Sequence, residues 1–152
     1  MFLTNQFKIA RLPSISHLLN QQPVRLSTFL FSPRLTKKFK ALGVVGWGVR
    51  QTTEHARQFA LKNNLPFVAL EDGFLRSFRS GQSVPPLSIV VDESGVYYDC
   101  NRSSDLESLI NSDVDVLHGD AYCSADVLRA RAFLVSNHLS KYNHAPDFDA
   151  SV

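Results

Sequence analysis

Cysteine is scarce: Cys100 and Cys123 are the only two in 152 residues. Two isolated thiols build neither a disulfide framework nor a zinc site, and they read as reduced thiols of a cytosolic protein. An excess of charge of one sign is also missing. Sixteen Lys+Arg stand against fourteen Asp+Glu, a formal net charge of +2, so nothing points to a nucleic-acid partner. Some basic clustering occurs at Lys37, Lys38 and Lys40. No apolar run approaches the length of a membrane span, and Met1–Ala10 lacks the apolar region of a signal peptide. The five histidines show no metal-ligand spacing, and His55 reads as a helix-surface residue. No internal repeat or low-complexity stretch is visible. What remains is globular: 44% hydrophobic, 11% aromatic and 20% charged residues, in a length that suits one compact domain.

The order of elements is readable in places. Ser14 is placed to cap a short helix carrying Ile15, Leu18 and Leu19. Val24–Phe31 is a short apolar run that suits a strand, ended by Pro33. Leu42–Trp47 is apolar and glycine-flanked, the pattern of a buried strand. Thr52 can cap the helix that follows, with Glu54 in its first turn and Ala56, Phe59 and Ala60 at helical spacing. Asn63-Asn64 and Pro66 stop it, and Pro66–Leu70 is a second apolar run. Strand, helix and strand in under about thirty residues make a βαβ unit with parallel strands. Leu87–Asp92 and Val96–Asp99 flank Glu93-Ser94-Gly95, which predicts a hairpin with Gly95 at positive φ. Ser104-Asp105-Leu106-Glu107 is a capping box opening a short helix. Ser124 caps a longer one, in which Ala125, Leu128, Ala132, Val135 and Leu139 share an apolar face. The tail after Ser140 carries no closing element, as expected of a chain cut inside a larger protein.

In an open parallel sheet, ligands bind beyond the carboxyl ends of the strands. The first strand of the βαβ unit runs into Trp47-Gly48-Val49-Arg50, the second into Glu71-Asp72-Gly73-Phe74-Leu75-Arg76-Ser77. Parallel strands open both loops on one edge. That edge then carries two carboxylates, two arginines, backbone-exposing glycines and an indole. Arg50 and Arg76 suit a phosphate or a sugar carboxylate, because a planar guanidinium fits either; surface charge is the plainer reading. Glu71 and Asp72 are equally consistent with catalysis and with an ion pair to Arg76. Trp47 is more readily a core residue than a sugar platform. Tyr97 and Tyr98 are expected to split, one ring in and one out. Gly43, Gly46 and Gly48 do not make the dinucleotide fingerprint, the spacing being reversed. Ser77 lies in no nucleophile elbow.

The stretch Leu70–Ser77 (LEDGFLRS) resembles the capsule polysaccharide biosynthesis proteins of the KpsC/LipA type. So do Trp47-Gly48, the run from Pro85 through Asp92 to Val96-Tyr97-Tyr98-Asp99, and Leu139–Asn143, all in the family's order. Together they span most of residues 42–143. Phe78–Val84 departs from the family, being shorter and more polar than its glycine-rich connection. The resemblance implies a retaining β-Kdo glycosyltransferase. Such an enzyme moves Kdo, an acidic eight-carbon sugar, from CMP-Kdo to a linker on lyso-phosphatidylglycerol. It implies an α/β fold: a Rossmann-like lobe of a GT-B-like module, with a parallel sheet and the added hairpin. Residues 1–152 are then one N-terminal lobe, the rest of the enzyme being absent.

On this reading Glu71 is the acid/base, and Asp72 orients it or holds the acceptor. Trp47, Gly48, Arg50, Gly73, Phe74, Arg76 and Ser77 line the substrate. The family's nucleophilic aspartate and CMP-binding segments fall beyond Val152. The resemblance implies no metal and no cofactor beyond the donor CMP-Kdo. Its implied partners are that donor, a glycolipid acceptor and the capsule assembly and export machinery, with a cytoplasmic location at most peripheral on the inner membrane. Two other readings fit the residues: an inactive truncated fragment, and a small α/β module that binds an anionic ligand.

Overall fold

A computed structural model describes residues 1–20, 23–25, 34, 37, 40–79, 84–112 and 124–143. The chain forms two compact units. Met1–Glu71 with Val90–Asn111 makes the first; Asp72–Ile89 with Ser112–Val152 makes the second. Among the described residues, no helix is long and apolar enough to cross a membrane.

The elements in chain order are β1 (Phe2–Thr4), α1 (Phe7–Ala10), α2 (Ile15–Leu18), β2 (Val24–Arg25) and β3 (Gly43–Trp47). They are followed by α3 (Gln51–Lys62), β4 (Phe67–Asp72), β5 (Ile89–Asp92), α4 (Asp105–Ile110) and α5 (Ser124–Ser136). The strands form one sheet in the order β2-β1-β3-β4-β5. β1 runs parallel to both β2 and β3. β3 and β4 are adjacent and parallel, pairing Val44 with Phe67 through Trp47 with Leu70. The βαβ unit expected from the sequence is therefore present. Its connecting helix buries Thr53, Ala56 and Ala60, three and seven residues apart, so one stripe faces the sheet. Leu3, Val44, Ala56 and Ala60 form a buried cluster that Phe59, Leu65 and Phe67 extend. At the end of α3, the Asn63 side-chain amide donates to the Phe59 carbonyl and Asn64 turns to φ +54°. Asn tolerates this left-handed turn better than most residues.

Several local expectations need correction. α3 begins at Gln51, with Arg50 at the N-cap and no side-chain cap. Thr52 does not cap it; its hydroxyl oxygen accepts from the Gln6 amide at 3.4 Å. Ser14 precedes α2 but makes no capping bond. Of the run Val24–Phe31, residues 24–25 are the strand β2, and 26–31 lie outside the described residues. The expected hairpin does not form: β5 ends at Asp92, and Val96–Asp99 is not strand, with Tyr97 and Tyr98 in a turn. The cause is Asp92, only 2% exposed. Its Oδ1 accepts from the backbone N–H groups of Ser94 and Gly95, at 2.9 and 2.6 Å, and its Oδ2 from that of Asp105. These bonds curl the chain around one carboxylate, and the strand propensity of Val96, Tyr97 and Tyr98 gives way to them. Gly95 does not take positive φ. It is needed because a Cβ there would meet the Ser103 carbonyl at 2.5 Å.

The capping box behaves as expected, with Ser104 Oγ accepting from the Glu107 N–H at 3.0 Å. The apolar face of α5 is present in sequence but exposed in the structure, with Leu128 63% and Val135 69% exposed.

Candidate functional site

The site in the first unit is built from the carboxyl ends of β3 and β4 and the loop after β5. β3 ends at Trp47, a partly buried residue held by its backbone: its N–H donates to Gln6 Oε1 at 3.0 Å, and its carbonyl accepts from the Thr53 hydroxyl at 2.6 Å. Gly48 follows at φ +63°, donating its N–H to the Leu70 carbonyl. A side chain disfavours that conformation, and space forbids it too. A Cβ on Gly48 would stand 2.9 Å from Glu71 Oε2 and 3.3 Å from the Tyr98 hydroxyl. Glycine thus leaves room for a carboxylate and a phenol to meet.

They meet closely. The Tyr98 hydroxyl donates to Glu71 Oε2 at 2.6 Å, within the range of a hydrogen bond to a charged acceptor. The Tyr98 ring packs edge-on against Tyr97, with centroids 5.3 Å apart and planes at 89°. Tyr97 is partly buried and Tyr98 exposed, which approximates the split expected of them. Partial burial, then the hydrogen bond and the charge of Glu71, push the Tyr98 phenol well above its ordinary value, while Arg50 pulls it down. Arg50 is exposed and stands at the N-cap of α3. Glu71 is partly buried and belongs to β4, which runs to Asp72 rather than ending before Glu71.

Two cavities adjoin these residues. One, of about 510 Å³, is formed by Val96–Ser104 with Glu107. The other, of about 90 Å³, lies among Gly48, Thr53, Glu54, Arg57, Asp99 and Arg102. Asp99 and Arg102 line both. Burial, and next the nearby charge of Arg102, lower Arg57 from its ordinary value, against the pull of Glu54 and Asp99. Hydrogen bonds from the Asn101 backbone and side-chain amide hold Asp99 below the usual carboxylate range.

The remaining candidates belong to the second unit. Asp72 forms an ion pair with Arg76, Oδ2 to Nε at 3.1 Å. Arg76 is only 7% exposed; its Nη1 donates to Ser77 Oγ, and its backbone N–H to the Lys141 carbonyl. Ser77 donates its hydroxyl to the Arg79 carbonyl at 2.6 Å and pairs with Tyr142 in an isolated parallel bridge. Gly73 is buried against Ser88, whose backbone and Cβ would lie 2.8 Å from an added Cβ. Phe74 is 59% exposed.

The structure thus brings Glu71 to Gly48 and Tyr98, and Asp72 to Arg76, which in turn bonds to Ser77. As consecutive strand residues, the two carboxylates fall on opposite faces of β4. Tyr98, Asp99 and Arg102 are the residues missed in the sequence. The strand alternation suggested by Tyr97-Tyr98 hides the part Tyr98 plays.

Similarity to known proteins follows the same residues. Residues 43–151 match the family model described as "Capsule polysaccharide biosynthesis protein". Capsule polysaccharide modification protein LipA of Neisseria meningitidis serogroup A is 50% identical over 127 residues, covering 80% of this chain and 17% of LipA. Lipopolysaccharide-processing protein LpsZ of Rhizobium meliloti is 38% identical over 111 residues, covering 72% of this chain and 24% of LpsZ. Among solved structures, Thermosulfurimonas dismutans KpsC, a β-Kdo 2,4-transferase, aligns with a TM-score of 0.76 at 31% identity. That alignment covers 98% of this chain and 43% of KpsC. The chain therefore spans less than half the length of each of these relatives.

Proposed function

The chain belongs to the capsule polysaccharide biosynthesis protein family, and from that premise we propose that it forms part of a retaining β-Kdo glycosyltransferase, with Glu71 as its acid/base. The reaction in view moves Kdo from CMP-Kdo to a lyso-phosphatidylglycerol-based linker. Retention of configuration takes two displacements. In the first, a carboxylate nucleophile bonds to the anomeric carbon of Kdo as CMP departs with the electrons of the broken bond. We place that nucleophile, with the CMP-binding segments, outside these 152 residues. In the second, an acceptor hydroxyl attacks the same carbon, the nucleophile leaves, and Glu71 takes the hydroxyl proton. The donor and acceptor partners, the capsule export machinery and an inner-membrane location belong to this same proposal.

The observation that carries the reading is the Tyr98 hydrogen bond to Glu71 at 2.6 Å over a glycine that admits both groups. A carboxylate held this way at the carboxyl end of a parallel strand sits where α/β folds bind ligands. A surface carboxylate kept only for solubility needs neither the glycine nor the phenol.

The test is Glu71→Gln, made in a protein of the family's full length that carries these residues. CMP-Kdo and a Kdo-terminated lipid acceptor are supplied, and the product is read by mass spectrometry. Transfer is expected to fall by on the order of a hundredfold or more, with the melting temperature little changed. Near-normal transfer removes Glu71 from the mechanism. Residues 1–152 alone are expected to give no transfer; turnover by them would place the nucleophile within this chain.

A further inference from the structure

We infer that Gln6, just beyond the carboxyl end of β1, is a positioning residue for the proposed acid/base. Its side-chain amide replaces the missing continuation of β1, fixes the Trp47-Gly48 turn, and so sets the floor beneath Glu71. This rests on the proposed transferase reading, in which Glu71 takes the acceptor proton.

The sheet creates the need for such a group. β1 pairs with β3 at Phe2 with Gly43 and Leu3 with Val44, then leaves the sheet, and α1 begins at Phe7. β3 runs on to Trp47. Peptide groups along a strand point alternately to its two neighbours. The N–H groups of Val44 and Gly48 donate to the Pro66 and Leu70 carbonyls, on the β4 side. The N–H and carbonyl of Trp47 therefore face the other side, where β1 has ended. Peptide groups in a partly buried position need partners.

Two side chains supply them. Gln6 Oε1 accepts from the Trp47 N–H at 3.0 Å, and the Thr53 hydroxyl donates to the Trp47 carbonyl at 2.6 Å. Gln6 Nε2 donates to that same Thr53 oxygen at 2.8 Å, which closes a ring. The ring fixes the sense of the amide, since the reversed amide would set a donor against the Trp47 N–H. Gln6 is held in turn, its backbone N–H donating to Thr4 Oγ1 at 3.1 Å. Thr53 is buried, and Gly46 lets α3 bring it in, because a Cβ there would stand 2.8 Å from Thr53 Cγ2.

Gly48 is the next residue, so the ring acts directly on the site. Its turn at φ +63° is tied to Leu70 on one side and, through Trp47, to Gln6 on the other. Glu71 Oε2 and the Tyr98 hydroxyl meet in the space a Gly48 Cβ would take. Movement of this turn moves the carboxylate or parts it from the phenol, and a misplacement of about 1 Å can cost a hundredfold in rate. Gln6 lies outside residues 43–151, which match the family model, yet it reaches the same strand end.

The test begins with hydrogen exchange in the 152-residue chain, read by nitrogen–proton NMR. Gln6→Met keeps the length of the side chain and removes both of its bonds to the ring. It is expected to speed exchange of the Trp47 amide about tenfold relative to that of Val44. Gln6→Glu keeps an acceptor and is expected to retain the protection. In a protein of the family's full length, Gln6→Met is expected to lower kcat by on the order of tenfold or more, with donor and acceptor KM unchanged. Thr53→Val opens the same ring from α3, and decides the matter if Gln6→Met does not fold. It is expected to give the same fall, and the double variant no greater one. Unchanged Trp47 exchange in Gln6→Met, equal exchange in the Met and Glu variants, or a lower melting temperature with kcat intact overturns the proposal. The exchange measurement needs no turnover, so it separates the two readings. If Glu71→Gln transfers normally while Trp47 exchange responds to Gln6, the acid/base role falls and the hold on the turn stands.

Discussion

Tyr98 and Glu71, 27 positions apart in the sequence, are joined by a 2.6 Å hydrogen bond in which the phenol donates to Oε2. The bond depends on the absence of a side chain at Gly48 and on the turn that Asp92 imposes after β5. Two strand ends and one loop therefore meet at a single carboxylate.

The Tyr98 phenol is pushed above its ordinary value of 10.0, first by burial and then by Glu71. Below that value the phenol is protonated both folded and unfolded, and its contribution to stability is complete. As pH rises past it, the unfolded chain loses the proton first, so stability falls until the folded phenol also ionises. Denaturant unfolding across the alkaline range is expected to show a shallower loss in Tyr98→Phe than in the parent. Identical slopes would mean that Tyr98 titrates as an ordinary tyrosine.

Gly48→Ala places a Cβ in the left-handed region and against Glu71. The backbone strain alone costs about 1–2 kcal/mol, and the carboxylate must move as well. The expected result is a lower unfolding midpoint together with a drop in transfer. A stable variant with full activity would show that the Tyr98–Glu71 contact is dispensable.

Asp92→Ala takes a buried acceptor away from three backbone N–H groups, that of Gly95 buried and those of Ser94 and Asp105 partly so. A loss of about 3 kcal/mol is expected. Hydrogen exchange should speed up first at residues 94, 95 and 105, and unchanged protection there would contradict the role given to this carboxylate.

Arg76→Met tests whether this arginine binds substrate or holds structure. The buried pair with Asp72 predicts destabilisation of about 3 kcal/mol or more, with donor and acceptor KM unchanged. A clamp for an anionic substrate gives the reverse: raised KM and nearly unchanged melting.

The β3–α3–β4 unit was legible because its signals agree: two short apolar runs, a helix with one apolar stripe, and Asn and Pro to end it. β1 was not, because three residues carry no period; Phe2–Thr4 is a strand through its pairing with β2 and β3 on either side. The expected hairpin is absent for a different reason. Local propensity favoured a strand at Val96–Tyr98, and a single buried carboxylate two to three residues upstream of the turn amides overrode it. Glu71 could be picked out by its place at a strand end, but Tyr98 could not, since only the folded loop brings it there. The ion pair of Arg76 stands among the readings of the sequence and forms with Asp72; its burial is not legible there, because a buried ion pair has the same spelling as an exposed one.

The sheet order also bears on how the chain folds during synthesis. β1 lies between β2 and β3, yet Thr4 and Gly43 are 39 positions apart. At roughly 5–20 residues per second, β1 leaves the ribosome several seconds before β3 exists to cover its second edge. During that interval Leu3, fully buried in the finished fold, has only local partners. β3, α3 and β4 follow in quick succession with short-range contacts, the kind that form fastest. Docking of β1 onto β3 is therefore the expected late, rate-setting event, and slower translation between Thr4 and Gly43 would lengthen the exposure of that edge to other nascent chains.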